Sequence, residues 1–147
     1  MKIQVVRNVA ILGLFFVLAI ASVQAQTPSR VEVNIPFDFS AAKTTLKAGA
    51  YSIKRMAGNA LAIRSAEGKT TALLNAPLTI GARDSKAGER LVFNKYGDQY
   101  FLSQVWMNAD TGRQLFPSSG EQKAARAYRI AHNSAKPERV EIAVRAQ

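Results

Sequence analysis

From Val31 to Phe39 the chain alternates without a break. Val31, Val33, Ile35, Phe37 and Phe39 are apolar, and Glu32, Asn34, Pro36 and Asp38 stand between them. A period of two sends every second side chain to the same face of an extended strand, so one face can enter a core while the other meets water. A helix would scatter the same residues around its circumference. This stretch therefore commits the start of the folded chain to β structure. Pro36 has no N–H to give to a ladder, which predicts an edge position or a bulge.

Shorter segments follow at close spacing. Tyr51 to Arg55 reads as a strand with Tyr51 and Ile53 inward, Gly58-Asn59 as a turn, and Ala60 to Arg64 as the return with Leu61 and Ile63 inward. Glu67-Gly68 marks another turn before a strand from Thr70 to Asn75 that reaches toward Ile80, with Pro77 interrupting or bending it. The polar stretch Gly81 to Gly88 reads as a mobile loop. Leu91–Tyr96 and Gln99–Met107 form a second hairpin around Gly97-Asp98. Strict alternation puts Tyr100, Leu102 and Trp106 on one face and Phe101, Val105 and Met107 on the other, the signature of a central strand buried on both sides. Asp110-Thr111-Gly112 reads as a turn, and Arg113 to Phe116 as a short return strand.

Ser118 and Glu121 have capping-box spacing, and the Ala-rich segment Glu121–His132 is a good helix former that Pro137 should end. Val140, Ile142 and Val144 then give a closing strand. The expected fold is mainly β: a small antiparallel β-sandwich or β-barrel of about eight strands, with one α-helix before the last strand.

The first 25 residues carry a different signal. Lys2 and Arg7 precede an apolar run from Val9 to Ala21, and Ser22-Val23-Gln24-Ala25 supplies small residues at a cleavage site. This is the order of a secretory signal peptide, and the apolar run falls short of the ~20 residues that span a bilayer as a helix. The expectation is an exported protein, periplasmic or extracellular, with residues 26–147 as a single domain and no integral membrane segment after cleavage. A transmembrane barrel would need longer strands, of ~9–11 residues. The chain has a formal net charge of +10, and its leader holds two of the 20 basic residues and none of the acidic ones, so the surplus survives cleavage. Such a surface suits anionic partners, although no run of like charges appears. Cysteine is absent, which excludes disulfides, thiol nucleophiles, Cys-based metal sites and lipid attachment at the cleavage site.

Three phrases resemble a group of uncharacterised exported bacterial β-rich proteins. They are Val33-Asn34-Ile35-Pro36-Phe37-Asp38-Phe39, Leu46-Lys47-Ala48-Gly49-Ala50-Tyr51-Ser52-Ile53, and Leu91-Val92-Phe93-Asn94-Lys95-Tyr96-Gly97-Asp98-Gln99-Tyr100-Phe101-Leu102. Many members of the group carry Pro where Lys47 stands. The likeness covers most of residues 31–107 and implies a small exported β domain. It transfers no catalytic residue.

Two sets of residues are candidates for binding. Tyr100, Leu102 and Trp106 would line an interior site for a small apolar ligand if the interior were hollow, and would otherwise be core; Tyr96 and Phe101 extend the same aromatic group. Lys123, Arg126 and Arg129, at i, i+3 and i+6, share one stripe of the helix and would face an envelope polyanion or membrane surface, or simply water. The opposite side, Ala124, Tyr128 and Ala131 with Ala127 and Ile130 flanking, would dock on the sheet. His132 is the lone histidine and suits a helix C-terminus without further role. A hydrolase would need two of Asp84, Glu89, Asp98 and Asp110 to converge. There is no phosphate-cradling Gly-rich loop and no Gly-x-Ser-x-Gly elbow. The expectation is a non-catalytic binding or structural protein without cofactor, metal or specific nucleic-acid recognition.

Overall fold

The computed structural model describes residues 30–146 apart from positions 70, 84, 134 and 135. The leader expected over residues 1–25, and Asp84, lie outside the described residues. The elements run β1 (Arg30–Ile35), β2 (Phe39–Ala41), β3 (Thr44–Leu46), β4 (Gly49–Arg55), β5 (Ala60–Ser65), β6 (Thr71–Asn75) and β7 (Leu78–Gly81). After a 3-10 turn at Ser85–Ala87 come β8 (Arg90–Tyr96), β9 (Gln99–Trp106), β10 (Thr111–Gln114), α1 (Ser119–His132), β11 (Glu138–Ala143) and β12 (Arg145–Ala146). One sheet has the order β12-β1-β4-β5-β6. The other has β11-β8-β9-β10-β7, with β2 joined to β9 and β3 to β2. Neither sheet closes into a barrel, so the architecture is the sandwich.

The hairpins expected around Gly58 and Gly97 are present, and both glycines sit at positive φ, 67° and 61°, where a side chain would be strained. Among the described residues twelve strands replace about eight because the chain repeatedly changes sheets, and each change divides a run. The alternating stretch Val31–Phe39 is two strands and not one. Val31, Val33 and Ile35 enter the core from β1, the ladder stops at Pro36, and Phe39 enters the same core from β2 in the opposite sheet. Period two survives the corner because both sheets face one interior. Pro77 separates β6 from β7 in the same way, and Val144 passes between β11 and β12 with its N–H on the Glu89 carbonyl at 3.1 Å. The short β2–β3 hairpin was not visible in the sequence, and β10 starts at Thr111, two residues before the expected strand.

The corner is held by the three phrases that carry the resemblance. β1 pairs with β4 from Arg30↔Lys54 to Ile35↔Gly49. The Asp38 carboxylate accepts from Lys47 Nζ at 2.8 Å and from the Ala48 N–H at 2.9 Å, while the Tyr51 hydroxyl donates to the Lys47 carbonyl at 2.7 Å. The hydrogen bond from Lys47, then that from Ala48, hold Asp38 below the usual carboxylate range. Phe37 stacks on Tyr100 at 3.9 Å between centroids and meets Phe93 edge-on at 5.2 Å. Phe39 meets both Tyr51 and Phe93 edge-on, at 5.4 Å each. Edge-to-face and offset pairs suit aromatic quadrupoles, so the corner joins both sheets through ring packing.

On β9 the strict alternation fails. Val92 pairs with Gln104 but Phe93 pairs with Leu102, leaving Ser103 as the extra residue of a bulge. Its carbonyl accepts from the Leu115 N–H at 2.9 Å. The extra residue inverts the parity, so Leu102 and Val105 share the inner face while Phe101 and Trp106 lie on the outer face with Val92. Trp106 is buried there between Arg90, whose guanidinium lies 4.2 Å from the ring centroid, and Gly112. A Cβ at Gly112 would fall 2.5 Å from the indole, so only glycine fits beneath that ring.

Candidate functional site on the helix

α1 begins where its sequence says it should. The Ser118 hydroxyl accepts from the Glu121 N–H at 3.1 Å, satisfying one of the free donors of the first turn. Glu121 does not complete the reciprocal box. Its carboxylate instead accepts from Asn94 Nδ2 on β8 at 2.7 Å, and the residue is only 5% exposed. Burial raises its pKa above the usual carboxylate value, with the Asn94 hydrogen bond opposing the rise. Tyr128 meets Tyr96 edge-on at 5.9 Å, and Tyr96 meets Phe101 at 6.0 Å, so an aromatic layer extends the contact from β9 to the helix.

The docking face is therefore Glu121, Ala124, Ala125 and Tyr128, at i, i+3, i+4 and i+7. Ala131 was expected on it and Ala127 and Ile130 beside it, and all three are exposed instead, Ile130 at 80%. The reason is that a buried carboxylate anchors the first turn and fixes the helix's rotation on the sheet. The stop is also different. Asn133 caps the C-terminus in the left-handed region at φ 49°, four residues before Pro137, an arrangement asparagine tolerates well. His132 stacks on Tyr128 at 4.2 Å, and its Nδ1 lies 3.1 Å from the Tyr128 carbonyl.

Lys123, Arg126 and Arg129 are all exposed, and Ile130 falls between Lys123 and Arg126 on the helix circumference. Glu121 is the one acidic residue of α1 and it is turned into the sheet, so the outer face carries no acid. No ion pair engages the three basic residues among the described residues. This arrangement can attract negative charge and set a single apolar side chain against it.

The aromatic candidates are divided between two faces, and Asp98 and Asp110 are placed apart. Tyr100 flanks the aromatic corner, Leu102 is packed in the core at 3% exposure, and Trp106 lies on the opposite face of the sheet. The bulge at Ser103 thus divides a set that alternation had put on one face. Asp98 sits at the β8–β9 turn and Asp110 beyond the other end of β9, whose length of about 25 Å separates them. Asp110 takes part in a local turn through its backbone: its N–H donates to Asn108 Oδ1 at 3.1 Å and its carbonyl accepts from Ala82 at 2.8 Å. Among the described residues no group of three His, Cys, Asp or Glu is placed to hold a metal ion, and no helix is long and apolar enough to cross a membrane.

Two grooves emerge that the sequence did not announce. One of about 720 Å³ runs over the outer face of the first sheet, lined by Arg30, Glu32, Asn34, Ser52 and Arg64 among others. The second, about 380 Å³, lies between β2, β3 and the β8–β9 turn and is lined by Asp38, Ser40, Thr45, Asp98 and Tyr100. Both are formed by residues brought together across strands, which no linear motif records. Comparison with protein-family models, with curated proteins and with solved structures finds no match.

Proposed function

We propose that this chain is an exported, non-catalytic β-sandwich that holds an anionic surface of the cell envelope through the outer face of α1. The observation that carries the reading is the exposed set Lys123, Arg126 and Arg129 around Ile130, on a helix whose sole acid is buried. The apolar Ile130 among basic side chains suits a headgroup layer, where charge attracts and an alkyl group inserts. The leader pattern over residues 1–25, the basic surplus and the resemblance of residues 31–107 to exported bacterial proteins point to the same setting. An interior apolar ligand has less in its favour, because Leu102 is packed and Trp106 faces away from the core.

The test is co-sedimentation of the full chain's processed product with phosphatidylcholine vesicles, with and without phosphatidylglycerol, across a salt series. Binding is expected only with the anionic lipid and should weaken steeply with salt. Replacing all three basic residues with Gln should weaken it about 100-fold, given ~1 kcal/mol for each basic residue near such a surface. Equal binding to both vesicle types, or no loss in the triple variant, would refute the proposal.

A further inference from the structure

Two edges of the sandwich differ in a way that selects an interaction surface. β6 ends the first sheet and β7 ends the second, and the two strands are consecutive in the chain. Between Lys69 and Arg83 the sequence holds no charged residue, in a chain of which 20% is charged. Leu73 on β6 is 71% exposed and Leu78 on β7 is 44% exposed. The strand at the opposite edge of the second sheet, β11, carries Glu138, Arg139 and Glu141. Charges of that kind, bulges or a proline are how edge strands avoid pairing with another chain. β11 carries such charges within the strand and β6 carries none from Thr71 to Asn75.

Among the described residues the outer edge of β6 has no partner strand, and its donors and acceptors follow a defined pattern. The Ala76 N–H bonds the Asn59 carbonyl at 2.9 Å, in the same register that pairs Leu74 with Leu61 and Ala72 with Ile63. Alternation along an antiparallel ladder then gives the amides of Ala72 and Leu74 to β5 and turns those of Thr71, Leu73 and Asn75 to the open side. That row is self-complementary about Leu73. A second copy running antiparallel would set Leu73 against its own counterpart and Thr71 against Asn75, with about six hydrogen bonds and the two Leu73 side chains adjacent on the outer face.

We propose that β6 is the dimerisation edge of this protein, joining two copies into one continuous sheet through antiparallel β6–β6 pairing. The occupant is a second copy, which the two-fold register about Leu73 admits and which the absence of charge from residues 70–82 leaves unopposed. In a two-fold antiparallel pairing a charged residue at the centre would meet itself, and every copy of this chain already carries a basic surplus. In this register Lys69 comes opposite Pro77 and Glu67 opposite Thr79, so no like charges are opposed. The seam is one short strand from each copy, with few side chains on either side of it, so the dimer is expected to be concentration-dependent.

Sedimentation velocity of the processed protein over a concentration series should show a monomer–dimer equilibrium. Leu73→Lys should raise the dimer dissociation constant at least about tenfold, because like charges would then face each other. Met56→Lys adds the same charge at an exposed position on the β4–β5 turn, away from the seam, and should change the constant by no more than about twofold. Since the chain has no cysteine, Leu73→Cys gives a single thiol; a short bis-maleimide should cross-link it into dimers, whereas Met56→Cys should remain monomeric. A wild-type protein that stays monomeric throughout overturns the proposal, as does a dimer indifferent to Leu73→Lys or cross-linked equally well from position 56.

Discussion

Glu121 is where residue-scale chemistry departs most from its surroundings: a carboxylate 5% exposed, facing one amide donor. Burial lifts its pKa above 4.5, so the folded protein holds that proton more tightly than the unfolded chain. Its contribution to stability is full below about pH 4.5 and is lost as the pH rises through the folded-state value. Glutamine keeps the acceptor for Asn94 and has no proton to lose. Glu121→Gln is therefore expected to be more stable than the parent at pH 7, by about 1 kcal/mol, with the difference disappearing near pH 4. Urea unfolding at the two pH values reads this directly. A variant less stable at pH 7, or a difference independent of pH, would mean that the ionised form is well accommodated.

At the scale of elements, α1 is a helix whose two ends are held differently. It is capped by Ser118 and anchored through Glu121 in its first turn and Tyr128 in its second half, whereas the last turn exposes Ile130, Ala131 and His132. Ser118→Ala removes the acceptor for the Glu121 N–H in the turn that docks the helix, and is expected to cost about 1 kcal/mol in thermal or urea unfolding. A cost near zero would show that the sheet contact, not the cap, positions the first turn. β9 shows the complementary case. A single extra residue, Ser103, decides that Leu102 packs inside and Trp106 outside, and the space for the indole depends on Gly112 in the next strand.

For the whole molecule, the decisive place is the corner where the chain leaves one sheet for the other. Phe37 stacks on Tyr100 and abuts Phe93, while Asp38 ties β1's exit to the entry of β4 through Ala48 and Lys47. Phe37→Ala should cost about 2–3 kcal/mol, less than a fully buried Phe because this ring is only half-buried. Both sheets share one core, so the loss should appear as a single transition at lower denaturant, with ring and backbone signals moving together. Separate transitions for the two signals would argue that the sheets unfold independently.

Much of this arrangement was legible along the chain. Period-two runs identified the inward residues Val31, Val33, Ile35, Tyr51, Ile53, Leu61 and Ile63, all of them buried, because side-chain direction in a strand is a local property. Ser118 and the Ala-rich run located the helix for the same reason. The basic stripe was legible as a stripe, and its exposure followed. Which sheet each strand joins was not legible, since β1 and β2 read as one alternating segment and only packing reveals the corner at Pro36. The bulge at Ser103 escaped because it depends on what pairs with β9 on either side, and with it went the single face expected for Tyr100, Leu102 and Trp106. The helix's rotation and the two grooves are likewise contacts between segments distant in sequence; the uncharged run around β6 is legible along the chain, and only the order of the sheet makes it an edge. The sequence by itself determined most of the elements and, β9 apart, the inward faces of the strands it identified; tertiary structure alone decided their neighbours, because pairing is a relation between strands and no single strand carries it.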